Sequence, residues 1–413
     1  MWGTSISGLN RPRRRGAVAV LVMVLLPVLV GFAALVIDVG VLYNARADLQ
    51  NAADAAALAG ASALAGDEMM HVRMYGNTSD QMSGIVSLSV QRAATVSVLN
   101  PSWATTETVM GNADVTMGWL DLTSATASIV PGAAPSTYNA VQTVARRTAD
   151  GANGAVELLF ARIFGKSTSE VQATATAAFD DRVAGYDMTI VPGALPITVR
   201  ETVFEADFET GGDRFAYDAD FDSVSSGSDG LREIRLYPYE NAPGNFGLLN
   251  IGSGNQGVPG LRVQIEEGVS PADYEQEVGT SLLTFQGSNG ASASYSISGS
   301  PGIDASLESS LQARVGSIVG FFVHDSASDG GANTTYNITG MRYGRVVGVS
   351  LQGSESQRGF WIQPVTLASN GVILSSSASS TGGLTGRVVL ARCRDQHTRV
   401  AGFSRRAAME TPA

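Results

Sequence analysis

Ala17 to Ile37 reads AVAVLVMVLLPVLVGFAALVI, a run with no charged residue. At about 1.5 Å of rise per residue, a helix of that length covers roughly 30 Å, the thickness of a bilayer core. Pro27 and Gly31 interrupt the run, and helices in lipid tolerate both. Arg11, Arg13, Arg14 and Arg15 lie immediately before it. Basic residues stay on the cytoplasmic side of a span. Residues 1–15 are therefore expected in the cytoplasm, 16–37 in the inner membrane as a single pass, and the chain after Asp38 outside the cytoplasm. A cleaved signal peptide is the alternative, with an apolar region of about 7–15 residues and a small-residue cleavage site. The run here is longer and continues into Asp38-Val39-Gly40-Val41-Leu42-Tyr43, which favours a retained anchor.

Residues 38–65 follow as DVGVLYNARADLQNAADAAALAGASALA. Alanine is the best helix former, and only Gly40 and Gly60 weaken the segment. Leu42, Ala45, Leu49, Ala52, Ala56, Ala59 and Ala63 recur in steps of three and four, a heptad seam. None of Asn44, Arg46, Asp48, Gln50, Asn51 or Asp54 falls on it. Small seam residues let another backbone approach closely, so the seam reads as a packing surface for the protein's own sheet or for a neighbouring subunit. Asp38 either faces headgroup water or pairs with a basic group on a partner's membrane helix.

The chain has 413 residues, 44% apolar and 16% charged, with a net charge of −11. That balance argues against a nucleic-acid surface. Low charge with abundant Gly, Ser, Thr and Val points to β-rich modules outside the cytoplasm. Cys393 is the only cysteine, so no intrachain disulfide forms. Arg392, Arg394, Arg399, Arg405 and Arg406 give the last residues a basic character.

The stretch RRRGAVAVLVMVLLPVLVGFAALVIDVGVLYNARADLQNAADAAALAGASAL, Arg13 to Leu64, resembles the N-terminal segment of TadG-like proteins of the Tad/Flp pilus-assembly system. The likeness rests on the RRG start, Pro27, Asp38-Val39-Gly40 and the Leu49–Ala61 run. A second likeness lies at Val156–Ala178, where ELLFARIFGKSTSEVQATATA looks like the helix–strand segment closing the first extracytoplasmic domain in this family. Weaker echoes are Pro243-Gly244-Asn245-Phe246-Gly247 and LQARVGSIVGFFVHD at 311–325. The resemblance implies an inner-membrane component that supports assembly or anchoring of a pilus or related secretion machinery; it does not imply a catalytic activity. Two departures stand out. Related pilin-like proteins carry a glutamate five residues after the processed glycine, where Leu21 stands here after Gly16. Longer relatives carry a von Willebrand A-type domain with a D-x-S-x-S metal motif, and Asp222, Asp304 and Asp325 each fail that spacing.

The expected class is α+β: the transmembrane helix continues into a long Ala-rich helix (38–66) packed on a small antiparallel sheet within 67–182, followed by a linker (183–196), a β-rich domain (197–390) and a tail (391–413). Strands are expected at Ile85–Leu99, Ala113–Leu122, Ala140–Thr148 and Glu170–Phe179, where Val and Thr partly alternate with polar residues. Gly154–Phe164 is expected as an amphipathic helix with Val156, Leu159, Phe160 and Ile163 on one side. Pro192, Gly193 and Pro196 mark Ala184–Pro196 as the junction. Further strands are expected at Ile197–Phe204, Leu231–Tyr237, Leu261–Ile265, Ile318–Val323, Tyr343–Leu351 and Gly359–Leu367. Pro271–Val278 and Ile303–Arg314 read as short helices, with Asp304 near the start of the second. Ser375–Ser380 reads as a loop.

Asp218, Asp220, Asp222 and Asp229 occupy positions 1, 3, 5 and 12 of a twelve-residue calcium loop. Position 6 is Ser223 rather than glycine, and the flanks look strand-like, so a solvated acidic loop is the competing reading. The histidines are His71, His324 and His397. His324 adjoins Asp325, but adjacency does not give triad geometry, and a strand-end histidine is expected. No G-x-S-x-G, H-E-x-x-H, C-x-x-C or P-loop motif is present. The glycosylation patterns at Asn77, Asn333 and Asn337 read as chance. The sequence therefore points to a non-enzymatic, membrane-anchored envelope component of the pilus type. It would meet other pilus-assembly or envelope proteins through the Ala-rich helix and use no cofactor. The alternative is a membrane-tethered adhesion protein, with calcium at the acidic loop.

Overall fold

The computed structural model describes residues 15–76, 79–105, 107–124, 128–238, 244–252, 257–286, 291–328, 334–354, 356–378, 380 and 384–391. Arg11, Arg13, Arg14, Asn77, Pro243, Asn333 and Cys393, together with His397 and the basic C-terminal arginines, lie outside the described residues.

One helix, α1, runs unbroken from Arg15 to Ala61 and contains Pro27. Its apolar part is long and hydropathic enough to cross a membrane, with a mean hydropathy of 3.1. Large side chains from Val20 to Ile37 are exposed on all sides, Met23 at 77% and Leu29 at 65%. Beyond the run, burial narrows to a stripe at Asp38, Val41, Ala45, Leu49 and Ala52, spaced as one helical face. Alanine and leucine there allow close packing, while Asn44, Arg46 and Asn51 face out.

The chain divides into two compact units. The first comprises residues up to Ala56, Ala94–Asp114 and Val144–Thr174. Val41 and Ala45 of α1 pack with Val156, flanked by Leu42 and Val171. Polar side chains staple the connecting loops. Arg147, 6% exposed, donates to the carbonyls of Trp103 (2.7 Å), Gly154 (2.7 Å) and Ala155 (3.0 Å). Asn153 bonds Val109 through both its amide oxygen and its amide nitrogen.

The second unit comprises Ala57–Ala93, Val115–Thr143 and the chain from Ala175 onward. Two helices follow α1: α2 (Asp67–Tyr75) and α3 (Ser79–Ser97). A five-stranded sheet runs in the order Val115–Gly118, Ala140–Arg147, Val171–Asp180, Thr385–Ala391, Leu367–Ala368. At the end of α1, a Cβ on Gly60 would sit 3.0 Å from the Val141 side chain and 3.1 Å from the Ser89 hydroxyl, so glycine is what lets helix and sheet approach. A long Ala-rich helix with a mixed sheet and a β-rich remainder is the expected α+β class, but the sheet is not confined to 67–182: Thr385–Ala391 joins it antiparallel to Val171–Asp180, and Leu367–Ala368 joins it in parallel.

The largest sheet has seven strands, and its pairings close a ring. Thr334–Ser350 pairs with Tyr295–Pro301, which pairs with Phe246–Leu249, then Ala194–Arg200, then Ile318–Ala327, which returns to Thr334–Ser350. Gly359–Pro364 and Ile234–Tyr237 extend it from the far half of the long strand. Alternate residues feed two cores. Leu195, Ile197, Val199, Val319, Phe321 and Val323 enter one, while Ala194, Phe322, Ile338 and Tyr343 enter the other.

Five segments differ from expectation. The expected strand Ile197–Phe204 stops at Arg200, and Glu201–Phe204 opens a helix, Glu201–Thr210. Ile85–Leu99 is the second half of α3, not a strand. Its buried residues are Met82, Ile85, Ser89, Ala93 and Ser97, a helical face made partly of small and polar residues that the Val-rich composition hid. Leu261–Ile265 lies in a helix, Val258–Glu267, with Pro259 in its first turn where proline is favourable. Ala184–Pro196 forms buried strands, Val183–Asp187 and the start of Ala194–Arg200, instead of a linker. Pro196 is accommodated because the pairing shifts between Gly320 and Phe322 opposite it, where no donor is required. Gly154–Phe164 is not a helix but a short strand, Val156–Glu157, and a 3-10 turn, Ala161–Phe164. Pro271–Val278 is helical as expected, and Asp304 accepts from the Ser306 amide at 2.8 Å.

Candidate functional site

The most constrained polar group on α1 is Asp38, the first residue after the apolar run. It is 4% exposed. Its Oδ1 accepts from the Leu159 amide at 2.7 Å and the Phe160 amide at 3.1 Å. Its Oδ2 accepts from Phe160 at 3.1 Å and Ala161 at 2.6 Å. Three successive N–H groups thus converge on one carboxylate, an anion nest at the start of the 3-10 turn. Burial by itself raises the carboxyl pKa. The three amides and the Arg162 guanidinium outweigh that, and the pKa is lowered from 3.8. Neither headgroup water nor a partner's basic group is needed to satisfy Asp38. Sequence reasoning missed this because the partners are backbone groups of another segment, which no side-chain pattern reveals. The available signal was that the two stretches resembling one family, 13–64 and 156–178, are the two that meet here.

The turn that holds Asp38 exposes its own apolar side chains, Leu159 at 56%, Ile163 at 76% and Phe164 at 82%. Gly165, at φ 84°, closes it.

The alanine seam is occupied by the chain itself. Ala45, Leu49, Ala52 and Ala56 are fully buried and Ala63 nearly so. An assembly contact through the seam is therefore not open. The face of α1 left exposed beyond the run carries Val39, Tyr43, Asn44, Arg46 and Asn51.

The acidic loop is a hairpin, Phe215–Asp218 paired with Ser223–Ser226. Asp218 accepts from the Asp220 amide at 2.9 Å, and Asp222 from the Tyr217 hydroxyl at 2.9 Å. Asp229 accepts from the amides of Tyr217 (3.0 Å) and Leu231 (2.9 Å), and from the Gln363 side chain. Asp218, Asp222 and Asp229 thus bond separate partners, and among the described residues no three acidic, His or Cys side chains gather in a metal-binding group. Millimolar calcium is expected to leave the thermal unfolding of the purified chain unchanged. A calcium-dependent rise in melting temperature would show that the four aspartates converge.

His324 is fully buried in strand Ile318–Ala327. Its Nε2 lies 2.8 Å from the Gly244 carbonyl, which only accepts, so Nε2 carries the proton. Nδ1 then accepts from the Thr198 hydroxyl at 2.8 Å. Asp325 is bonded to Ser326 and Asn337. Burial, with Arg200 adding to it, holds the His324 pKa below 6.5 despite the Gly244 hydrogen bond. The unfolded chain therefore takes up a proton near 6.5 that the folded chain resists, so stability from this group is present above pH 6.5 and is lost as pH falls below it. The melting temperature is expected to drop from pH 7.5 to 5.5 more steeply in the native chain than in His324→Asn. Parallel slopes would remove His324 as the cause.

A cleft of about 590 Å³ is lined in part by Arg73, Asp121, Phe179, Asp181 and Arg182. Arg182 is held by Asp180 at 2.6 and 2.9 Å, and Arg73 donates to Thr366 at 3.1 Å over the Phe179 ring. These charges tie elements of the fold together.

With this geometry in place, the N-terminal segment can be compared with known families. Residues 16–63 match the family described as "Putative Flp pilus-assembly TadE/G-like". The match covers the apolar run, Asp38 and the seam, and leaves residues 64–413 outside it. No curated protein and no solved structure matches the chain.

Proposed function

We propose that this chain is a membrane-anchored envelope component that supports assembly or anchoring of a Tad/Flp-type pilus or a related secretion system, without chemistry of its own. Residues 16–37 would form a single retained pass in the inner membrane, with the basic N-terminal residues in the cytoplasm and the chain from Asp38 onward outside it. The observation carrying this reading is the pilus-assembly family match over 16–63, which takes in the exposed apolar run and the Asp38 clasp that follows it. The non-enzymatic part is supported by the site chemistry: His324 is locked between a hydroxyl and a carbonyl, and Asp218, Asp222 and Asp229 of the acidic loop bond separate partners. Partners would be other pilus or envelope proteins, met through surfaces other than the seam, such as the Val39–Tyr43–Arg46 face of α1.

Deletion of the gene followed by complementation tests this. Surface pili or secretion output should disappear on deletion and return with the full chain. They should not return with a chain lacking residues 16–37 and exported by a cleavable signal. Unchanged pili and secretion after deletion would overturn the proposal.

A further inference from the structure

We infer that the turn at 159–166 is a second membrane contact, in which Leu159, Ile163 and Phe164 enter the interfacial region of the leaflet on the far side from the basic N-terminal residues. The inference rests on the anchor reading above and adds to it a lipid-binding element from a distant part of the chain.

The first observation is placement. The amides of Leu159, Phe160 and Ala161 are fixed to Asp38, which directly follows Ile37. The cover on α1 also reaches further into the apolar run. Ala34, one turn deeper on the Asp38 face, is only 8% exposed, whereas Leu35, Val36 and Ile37 are 58%, 70% and 44% exposed. Four residues are about 6 Å of helix, so folded chain already stands at the depth of the last turn of the span.

The second is composition. Three large apolar side chains exposed within six residues form a patch of the kind that marks a binding surface. Exposed Lys166 follows it, while Arg162, inside the patch, pairs with Glu157 at 3.4 Å and donates to the Leu158 carbonyl at 3.1 Å. Long basic side chains let an apolar tip sink while their charges stay at the level of the phosphates.

The third observation distinguishes lipid from an ordinary protein partner. Backbone entering a bilayer must satisfy its own N–H groups. Here Leu158 donates to Ser167 at 2.9 Å, residues 159–161 donate to Asp38, and Ile163 donates to Phe160 at 3.0 Å. Gly165 and Lys166 donate to Arg162 and Ala161, each at 3.1 Å. The tip is thus apolar outside, and these seven amides are hydrogen-bonded within the turn or to Asp38.

The test uses the full chain with Cys393→Ser, reconstituted in phosphatidylglycerol-containing vesicles. An environment-sensitive fluorophore is attached at Phe164→Cys, at Leu29→Cys in the span, or at Leu99→Cys, an exposed leucine at 73%. Spin-labelled lipids should quench Leu29→Cys from deep positions and Phe164→Cys from shallow ones, with a blue shift at both. Aqueous iodide should quench only Leu99→Cys. Quenching of Leu29→Cys by lipid while Phe164→Cys behaves like Leu99→Cys would overturn this inference and leave the anchor standing. Shielding of Phe164→Cys from lipid and iodide alike would assign the tip to a second copy of the chain and also overturn it. Failure of lipid to quench Leu29→Cys would overturn the anchor reading, and the inference with it.

Discussion

Asp38→Asn is expected to release the 158–166 turn from α1 while leaving the apolar helix in the membrane. The substitution keeps size and shape but removes the charge, and only one side-chain oxygen remains to receive three amides. The unpaired N–H groups then have to find water, which a buried site does not supply. Hydrogen exchange on the full chain in detergent reads this directly. The Leu159, Phe160 and Ala161 amides should lose most of their protection, and the 3-10 turn Ala161–Phe164 should fray with them. Strands of the seven-stranded sheet should keep theirs, because they belong to the other compact unit. The native clasp carries its own pH signature. Its carboxyl pKa is lowered from 3.8, so its contribution is complete above that value and is lost only as pH falls through the lower folded value. Unchanged protection at residues 159–161 in Asp38→Asn would mean that the turn is held by packing alone.

The second large effect lies on the seam. Leu49→Ala removes a fully buried side chain from the stripe on α1. It is expected to cost about 2–5 kcal/mol, the transfer and cavity penalty together. Ala52→Leu and Ala56→Leu push in the other direction, adding bulk at positions with no exposed surface. Each should cost about 1–3 kcal/mol by overpacking. The two positions are neighbours on one face, so the double substitution should not be additive. Urea unfolding followed by exchange at α1 amides measures the loss. If these alanine substitutions left stability unchanged and only abolished pilus or secretion output, the seam would be a partner surface after all.

The seam also shows how far one sequence can be read. The spacing of Leu42 through Ala63 marked most of the buried face, because burial on a helix follows its period, but Leu42 and Ala59 are only half-buried and the neighbouring Ala53, Ala57 and Ala61 are buried as well. It left open what covers that face, since an alanine stripe suits a sheet and a second helix equally well. The strand at 318–327 was legible from Phe321-Phe322-Val323, a run buried on both faces. The ring that this strand closes was not, because closure depends on pairings between segments more than a hundred residues apart. Two punctuation signals misled. Pro192, Gly193 and Pro196 read as a linker, yet Pro192 and Gly193 lie in a short connection between two buried strands and Pro196 lies in the second of them, opposite a pairing irregularity. Val156, Leu159, Phe160 and Ile163 read as the buried face of a helix, yet Leu159 and Ile163 point outward. Their apolar character belongs to a surface, and periodicity alone cannot separate a core from a surface that meets something else. The acidic loop carried a plausible ligand spacing, but the backbone around Asp218 and Asp222 is a tight hairpin whose amides and hydroxyls use the carboxylates first.

The account stands on residues 16–37 remaining in the protein as an anchor. Intact-mass measurement of the chain recovered from cell membranes after alkaline carbonate extraction tests that most directly. The account predicts that the chain stays in the membrane pellet with a mass that includes the apolar run through Ile37. Recovery in the soluble fraction, with a mass beginning beyond Ile37, would show a cleaved signal sequence and contradict it.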